Sequence, residues 1–301
     1  YYNRYYCVSY CVFRCDYTYV RSVDGWLKYH DIPADWHEAR LRCHLEGTTL
    51  ASPLTYELQD AIQRISKQQG SLATDIFIGI HSTFSRGDYF SIEGVPLSQI
   101  PITWGPGEPD NYRNKESCLN LSPDGTVGDI DCEETRPYVC YKKNDHNRFL
   151  NPCGTIDDEY VFYNRTGSCY KFHRVPRIYS RAVMTCAAEG GYLAIINSND
   201  EAAIIKSIFA KNPSHTMLGQ FYKDVAYLGF SDWGEHGEWL TFHGETLHKA
   251  GYARWSPGEP NNSSAEFCGA VYRTGLLLDL KCETIHAFIC EKSPNSLICD
   301  N

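Results

Sequence analysis

The octapeptide WGPGEPDN occupies residues 104–111, and a near copy, WSPGEPNN, occupies residues 255–262. Each copy joins a Trp to turn-forming Gly and Pro residues and to a Glu that precedes a Pro. The copies differ where Asp110 of the first corresponds to Asn261 of the second. A repeat of this kind, one domain length apart, predicts two copies of one domain.

The sequence on either side of the octapeptides repeats as well. HEARLRCHLEGTTLAS (37–52) aligns with SRAVMTCAAEGGYLAI (180–195), and the run FIGI corresponds to YLGF. The three cysteines that close the first copy, Cys118, Cys132 and Cys140, recur 150 positions later at Cys268, Cys282 and Cys290. A chain of 301 residues is long enough for two domains that each bury a core.

These repeats predict the domain boundaries. We expect a first domain at 21–143, a polar linker at 144–152 and a second domain at 153–293, with 1–20 and 294–301 outside the repeat.

Each copy begins with two helical patterns, which short β-prone runs follow. Thr55 precedes an apolar helical pattern that starts at Leu58, and Ser198 with Glu201 forms a capping-box pattern before Ile204. The runs YVCY and AFIC lie among long Gly- and Pro-rich stretches. The predicted class is α+β, and each domain should have two helices, small antiparallel sheets and a long loop region.

The cysteines and sequons predict the compartment. Fourteen cysteines without zinc-site spacing indicate a disulfide framework and therefore an extracellular protein. The start, YYNRYYCVSYC, lacks signal-peptide features, and no apolar run approaches the roughly 20 residues that span a bilayer, so we expect a mature secreted chain. Sequons occur at Asn120, Asn164, Asn261 and Asn262, and we expect glycans on Asn120 and Asn164.

Composition and motifs disfavour several function classes. The net charge of -9 argues against a nucleic-acid partner and against electrostatic capture by anionic membranes. Ser231 in GFSDWG misses the spacing of a nucleophile elbow, and cysteines held in bridges are not nucleophiles. We therefore expect a binding protein and not an enzyme.

Together these residues resemble the C-type lectin-like domain, present twice. The marks are a helix ending in Cys with EG behind it, a central IGI or LGF run, a Glu-Pro-Asn-like loop and a closing set of three cysteines. Tandem copies in a secreted chain look most like the immulectins, lepidopteran plasma lectins that recognise microbial polysaccharide. The resemblance implies a haemolymph protein that interacts with the haemocyte surface or with proteins of the immune cascade.

Sequence alone leaves three pairings for four cysteines in each repeat. The resemblance implies the bridges Cys43–Cys140, Cys118–Cys132, Cys186–Cys290 and Cys268–Cys282, with Cys153–Cys169 as the additional amino-terminal pair of long-form members. Trp26 stands where the first copy would need its counterpart of Cys169, so that bridge is expected only in the second domain. Cys7, Cys11, Cys15 and Cys299 could pair among themselves or link two chains.

In this family a calcium ion, held by loop carboxylates and carboxamides, coordinates two neighbouring sugar hydroxyls, and the loop proline is usually cis. Calcium accepts about six to eight oxygen ligands, so protein oxygens leave room for those of a sugar. The matching residues, expected both to bind metal and to contact carbohydrate, are Glu259, Asn261, Glu266 and Asp279 in the second copy and Glu108, Asp110 and Glu116 in the first. Asp129 is expected as a further metal ligand in the first copy.

Both copies depart from the family one residue before the last Asp, where Gly128 and Leu278 replace an Asn that binds calcium and donates to the sugar. A carboxylate only accepts hydrogen bonds, whereas a carboxamide also donates them. The second copy keeps Asn261, so we expect it to recognise sugar and to bind calcium more than the first copy does. In the first copy, Asp110 should still attract calcium but should alter the recognition of sugar. A glycan on Asn261 would obstruct this site, so we expect that Asn to be unmodified.

The resemblance thus implies a secreted lectin that binds microbial polysaccharide, including lipopolysaccharide and mannose-type glycans preferred over galactose, with the assistance of calcium. Binding would agglutinate microbes and activate immunity. The alternative is that the acidic loop is an ordinary solvated turn. In that case the scaffold would bind a protein, or the lipid and core portion of lipopolysaccharide, without calcium.

Overall fold

The computed structural model describes residues 13–69, 74–145, 150–234, 237–261 and 265–298. Contacts divide them into a first domain that extends to Asp145 and a second domain from Leu150 to Ile298. Residues 1–12, which include Cys7 and Cys11, and residue Cys299 lie outside the described part, so the pairing predicted among them and Cys15 is not addressed.

Five helices occur in the described residues, two in the first domain and three in the second. They are α1 (Trp36–Leu45), α2 (Tyr56–Gln69), α3 (Tyr179–Ala188), α4 (Asn199–Lys211) and the single turn α5 (Leu247–Ala250).

The helix starts follow the capping residues of the sequence. Thr55 Oγ1 accepts from the backbone N–H of Leu58 at 3.2 Å, and Ser198 Oγ accepts from that of Glu201 at 3.1 Å. The Glu201 carboxylate in turn accepts from Asn197 N at 2.7 Å, one residue before the position of an ideal capping box.

The first domain contains one mixed sheet. Its strands are β1 (Thr18–Val20), β2 (Gly25–Ala34), β3 (Thr49–Leu50), β4 (Ile76–His81), β5 (Phe90–Ser91), β6 (Thr103–Trp104), β7 (Glu116–Leu121), β8 (Thr126–Asp131) and β9 (Arg136–Lys143). The strand order is β1-β2-β9-β4-β7-β8-β6, with β3 beside β9 and β5 beside β4. The predicted small antiparallel sheets are thus joined into one sheet, in which the pairs β4–β9 and β6–β8 are parallel.

The second domain repeats this arrangement. Its strands are β10 (Val161–Tyr163), β11 (Ser168–Arg177), β12 (Tyr192–Leu193), β13 (Val225–Ser231), β14 (Leu240–Thr241), β15 (Cys268–Tyr272), β16 (Leu277–Leu280) and β17 (His286–Lys292). The order β10-β11-β17-β13-β15-β16 matches that of the first domain strand for strand up to β6, and β13 again pairs in parallel with β17.

Each core lies between the second long helix and the central strands. Helix α2 buries Leu58, Ile62 and Ile65 against β4 and β7, and α4 buries Ile204, Ile205 and Ile208 against β13 and β17. Burying an aliphatic side chain of this size stabilises a fold by about 1.5–3 kcal/mol. The helical patterns read from the sequence are therefore the faces that pack on the sheet.

Within the described residues, five disulfides brace the domains in the pairing that the resemblance implied. They join Cys43 to Cys140, Cys118 to Cys132, Cys153 to Cys169, Cys186 to Cys290 and Cys268 to Cys282. The bridges from α1 and α3 to the closing strands span 97 and 104 residues. Bridges that close loops of this length restrict the unfolded chain most, by about 4–5 kcal/mol in the chain-entropy account.

The repeat predicted that the first domain starts at Arg21, but packed structure begins earlier in the chain. Strand β1 pairs with β2 as β10 pairs with β11, and Phe13 and Tyr17 are buried. Trp26, which stands in the place of a bridging Cys, is itself buried, and its ring lies 5.0 Å from that of Tyr19. Aromatic packing therefore holds this segment where a disulfide holds its counterpart.

A buried glutamate behind each first helix joins the amino-terminal segment to the sheet. Tyr17 Oη and Lys28 Nζ both donate to the Glu46 carboxylate, at 2.6 and 2.9 Å. Tyr160 Oη and Lys171 Nζ donate to Glu189 in the same way. Burial alone would raise the pKa of Glu46, but the His30 imidazole and the nearby cations lower it to about 2. The glutamate of each EG pair is thus a structural anion.

Across the described ranges, no helix combines the length and the apolar character that crossing a membrane requires.

Candidate functional site

The two Glu-Pro loops lie beside the strands that carry the last Asp of each motif. β6 runs parallel to β8, and Trp255 forms a parallel bridge with Leu277 at the start of β16. Trp104 and Trp255 are half-buried against the cores and so anchor the loop stems. Both Glu-Pro bonds, Glu108–Pro109 and Glu259–Pro260, are cis, as the resemblance implied.

In the first domain, the Asp129 carboxylate holds the loop against β8. Its two oxygens accept from the backbone N–H groups of Asp110 and Asn111, each at 3.0 Å, while Glu108 accepts from Asp129 N at 3.2 Å. As a result, Glu108, Asp110 and Asp129 each present a carboxylate oxygen within 4.8 Å of the others.

Glu116 reaches the same loop from the start of β7. The backbone N–H of Tyr112 donates both to Glu116 Oε2 at 2.6 Å and to Asp110 Oδ1 at 2.9 Å. Asn111 adopts a left-handed backbone conformation, with a φ of 45°, at the turn that makes this approach possible. All four predicted residues of the first domain therefore meet at one loop.

These carboxylates repel one another. Partial burial and the neighbouring carboxylate of Asp129 raise the pKa of Glu108, and burial together with Asp110 and Asp129 raises that of Glu116 to about 7. The ion pairs of the first domain involve other carboxylates, namely those of Asp16, Glu38, Glu46, Asp60 and Glu134. An all-oxygen, acidic, partly exposed donor set of this kind fits a hard cation such as Ca²⁺.

Asn120 occupies part of the space that Gly128 leaves open. A Cβ at position 128 would lie 2.9 Å from Asn120 Oδ1 and 3.3 Å from Glu108 Oε2. The Asn120 side chain accepts from Gly128 N at 3.0 Å and donates to Asp75 at 2.9 Å. The Asn120 carboxamide, from the neighbouring strand, thus lies beside the carboxylates of the loop. Its N–H group donates to Asp75.

The same contacts correct the prediction of a glycan on Asn120. The side chain is 7% exposed and its Nδ2 donates to Asp75, so a glycan would break this bond and would not fit the packed strands. Asn164, by contrast, lies in an exposed turn after β10, and a glycan there remains our prediction.

In the second domain, Asn261 is held between two carboxylates. Its backbone N–H donates to Asp279 Oδ1 and to Glu259 Oε2, each at 3.1 Å, and its Nδ2 donates to Glu259 Oε2 at 3.1 Å. Burial and the Asp279 carboxylate raise the pKa of Glu259 to about 7. Donor and acceptor groups therefore stand side by side at the loop surface.

The remaining residues of the second site are less tightly assembled. Glu266 is half-buried. Burial raises the pKa of Tyr272, and the negative charges of Glu259, Asp279 and Glu266 raise it further. Leu278 points into the hydrophobic core, which explains how this copy tolerates the loss of the polar residue. Asn262, with its sequon, lies outside the described residues.

Two side chains at the first site were missed from the sequence. Tyr89 Oη lies 3.4 Å from Asp129 Oδ2, and Asn120 approaches as described above. Asn120 stands opposite Gly128 on paired strands. The sequence carries no signal for this pairing, because it depends on the register of β7 against β8.

The chain matches known proteins in both halves. The family profile described as "Lectin C-type domain" matches residues 32–142 and 175–292. The chain is 35% identical over 124 residues to the "Hemolymph lipopolysaccharide-binding protein" of Periplaneta americana, a match that covers 40% of this chain and 48% of that protein. It is also 32% identical over 135 residues to "Perlucin" of Haliotis laevigata, covering 44% of this chain and 80% of that protein.

Among solved structures, the mouse scavenger receptor C-type lectin carbohydrate-recognition domain matches with 27% identity and a TM-score of 0.37, covering 45% of this chain and 94% of that domain. The chain spans about half the length of the cockroach relative. Because the family profile matches most of both domains, the chain belongs to the C-type lectin domain family and contains two copies of the domain in tandem.

Proposed function

We propose that the chain is a secreted lectin that binds microbial polysaccharide with the help of calcium held at its two Glu-Pro loops. The observation that carries this proposal is the meeting of three carboxylates within 4.8 Å, two from the Glu-Pro loop (Glu108 and Asp110) and one from β8 (Asp129). Loop and strand residues gather there although their charges repel, which a divalent cation would offset.

The residues that would hold calcium are Glu108, Asp110, Glu116 and Asp129 in the first domain and Glu259, Asn261, Glu266 and Asp279 in the second. The bound ion would supply coordination positions for two vicinal sugar hydroxyls. The hydrogen bonds of the first site already direct Asp110 and Glu116 to one point, through Tyr112 N. The protein therefore contributes a positioned ligand set.

Sugar recognition requires donors as well as acceptors. In the second domain, Asn261 Nδ2 donates one N–H to a Glu259 oxygen 3.1 Å away, so a hydroxyl that contacts both groups would donate to the carboxylate and accept from the second N–H of the carboxamide. Asp110 offers only acceptors at the equivalent place. We therefore propose that the second domain binds mannose-type sugars and that the first binds calcium more strongly than sugar.

The targets and partners of the protein are part of the same proposal. A relative of the chain is named as a haemolymph lipopolysaccharide-binding protein, which supports lipopolysaccharide as a target and the haemolymph as the location. Five disulfides fit an oxidising extracellular environment. Agglutination of microbes, and contact with haemocytes or immune-cascade proteins, would follow from two sites on one chain.

Calorimetric titration of the whole chain with calcium tests this function. Glu108→Gln and Glu259→Gln each remove one charge while keeping an oxygen that can accept the hydrogen bond of the original side chain. We expect each variant to lose about tenfold or more in calcium affinity at its own site, or about 1.4 kcal/mol. Glu133→Gln, an exposed residue outside both loops, is the matched control and should bind as the unmodified chain does.

Mannan binding, measured with and without a chelator, then tests the link between calcium and sugar. We expect the chelator to abolish it. Mannan binding that persists unchanged in the chelator would reject calcium-assisted recognition and favour a calcium-independent module.

A further inference from the structure

A cleft of about 220 Å³ lies in the first domain, away from the Glu-Pro loop. It is bounded by α1, by β3 with the turn before it, and by the residue after β5. Its lining residues are Arg40, Leu41, His44, Thr48, Thr49, Leu50 and Ile92. This volume holds several water molecules, each occupying about 30 Å³ in the liquid, and is smaller than the roughly 300–1,000 Å³ of pockets for drug-sized ligands. It suits a ligand no larger than about one monosaccharide.

The second domain carries larger, aromatic side chains at two of the equivalent positions, Tyr192 for Thr49 and Phe242 for Ile92. Thr49 and Tyr192 are equivalent because they take the same place beside the closing strands β9 and β17. Ile92 and Phe242 are equivalent because their backbone N–H groups donate to the carbonyl oxygens of Gly79 on β4 and Gly229 on β13. The Tyr192 ring packs edge-on against His243, with ring centres 4.9 Å apart. At these two positions the first domain borders its cleft with the smaller side chains of Thr49 and Ile92.

The helix beside the cleft also differs in charge between the domains. Arg40 and His44 lie one turn apart on α1 and are exposed, whereas α3 carries Val183 and Ala187 at the same helix positions. Arg42, on another face of α1, pairs with a carboxylate of its own helix at 3.0 Å. Among the residues that the structure describes, no carboxylate forms an ion pair with Arg40. A protein of net charge -9 thus keeps an available cation at this cleft.

Arg40 lies near two histidines, His37 and His81, while the acidic Glu93 follows the lining residue Ile92. Burial and the positive charges of Arg40 and His37 lower the pKa of the nearby His81 imidazole. The hydroxyls of Thr48 and Thr49 donate to backbone carbonyl oxygens, at 2.8 and 3.2 Å. Donors for a bound anion must therefore come from Arg40 and His44.

The lining matches a sugar that carries a phosphate. A guanidinium presents planar, paired N–H groups that suit phosphate oxygens, and an imidazole supplies an N–H donor in either protonation state. Leu41 and Ile92, which are half-buried, offer apolar contact for the C–H face of a sugar ring. We propose that this cleft is a second, calcium-independent site of the first domain that binds a phosphorylated sugar, with its phosphate on Arg40 and His44.

Titration of the whole chain in excess chelator tests the site, because the Glu-Pro loops are then without calcium. The probes are mannose 6-phosphate, mannose and inorganic phosphate. We expect mannose 6-phosphate to bind, inorganic phosphate to bind more weakly and mannose not to bind. Arg40→Val and His44→Ala, the residues of the second domain, should each reduce the affinity about tenfold or more, the size of a charged hydrogen bond.

Two further variants separate the cleft from surface charge in general. Thr49→Tyr should abolish binding by filling the cleft while both cations remain. Arg64→Ala removes an exposed arginine of α2 that is distant in sequence from the cleft and should leave binding unchanged. Full affinity in Thr49→Tyr or in Arg40→Val, or equal binding of mannose, would overturn the proposal.

Hydrogen exchange of the unmodified chain provides a readout that does not depend on the folding of variants. Mannose 6-phosphate should slow exchange in the α1–β3 segment, and unchanged exchange at saturating probe would also reject the site. Vesicles that contain lipid A or dephosphorylated lipid A identify the source of the phosphate. Binding to lipid A alone indicates a glycolipid, and binding to neither indicates a soluble sugar phosphate.

Discussion

The residue after the cis-proline differs between the two sites by one functional group, and its contacts differ accordingly. Asn261 Nδ2 donates to Glu259 at 3.1 Å, whereas Asp110 shares the Tyr112 N–H with Glu116 and has no donor to offer. A sugar hydroxyl placed between two carboxylates can donate to one of them but finds no donor for its own lone pair. This contact is therefore where the two domains should diverge in sugar binding.

We predict that Asn261→Asp weakens binding of the whole chain to mannan by about tenfold or more, the effect of losing one hydrogen bond to a charged or metal-bound group. The backbone N–H that bonds Asp279 is unaffected, so calcium affinity at this site should be kept or increased. Calorimetry with calcium, followed by titration with mannan, measures both quantities.

Asp110→Asn is the reciprocal variant and should change mannan binding less, or improve it, because it adds a donor to the weaker site. If Asp110→Asn were the more damaging of the two, the first domain would be the main sugar site and the assignment by donor count would be wrong.

The closing strand of the second domain carries a buried carboxylate that its counterpart in the first domain lacks. Glu291 on β17 is 3% exposed and corresponds to Tyr141 on β9. The Tyr170 hydroxyl lies between the carboxylates of Glu291 and Glu201 and is within hydrogen-bond distance of both. Glu291 also accepts from Ile195 N at 3.3 Å. Burial and the Glu201 charge raise the pKa of Glu291 to about 7.

This carboxyl group should make the second domain less stable as the pH rises. The folded chain keeps a proton on Glu291 that the unfolded chain releases near its ordinary pKa of 4.5. The stabilisation is complete below that value and is lost as the pH rises through about 7, a change of roughly 2–3 kcal/mol between pH 5 and pH 8. Thermal unfolding between these values should show the decline.

Glu291→Gln mimics the protonated side chain and should remove this part of the pH dependence. The difference between the pH profiles of the variant and of the unmodified chain reports on Glu291 alone. His81 and His286, whose pKa values are lowered chiefly by burial, titrate alike in both proteins. The pKa of Glu189 is lowered to about 2 by its hydrogen bond to His173, against the effect of burial, so it acts below this window. Parallel pH profiles for the two proteins would contradict the prediction.

The elements that the sequence predicted are those whose signal is local or repeated. The caps at Thr55 and Ser198 and the helical patterns behind them are confirmed, because each lies within one helix. The disulfide pairing followed from the family resemblance. Strand β1 was missed because the first domain lacks a counterpart of the Cys153–Cys169 bridge, which marks the amino-terminal segment of the second domain.

The parts of the sites that could not be predicted depend on pairing between strands. Asn120 reaches the space beside Gly128 only in the register of β7 against β8, which shifts between Glu116 and Cys118. The cleft beside α1 likewise depends on Thr49, whose smaller size matters only once β3 is placed against the helix. A single sequence gives neither the register nor this packing.

For the whole molecule, the repeat provides two sites of unequal chemistry on one chain. The first domain gathers more carboxylates and the second keeps the exposed carboxamide, so under the proposed function neither domain alone would combine the stronger ion site with the fuller sugar site. Sugar contacts through two hydroxyls are weak and wet. Linkage converts the second contact with a repetitive surface into an intramolecular event, which can raise avidity by about 10²–10⁴ when both sites engage.

We therefore predict that the chain binds free mannose weakly and mannan much more tightly, and that the gain requires both loops. Glu108→Gln or Glu259→Gln alone should lower mannan affinity by about tenfold or more while leaving mannose affinity at the other site unchanged. The double variant should lose both, and Glu133→Gln should lose neither. Equal affinity per site for mannose and mannan, or full mannan affinity in a single variant, would mean that one domain binds alone and that the second copy serves another purpose.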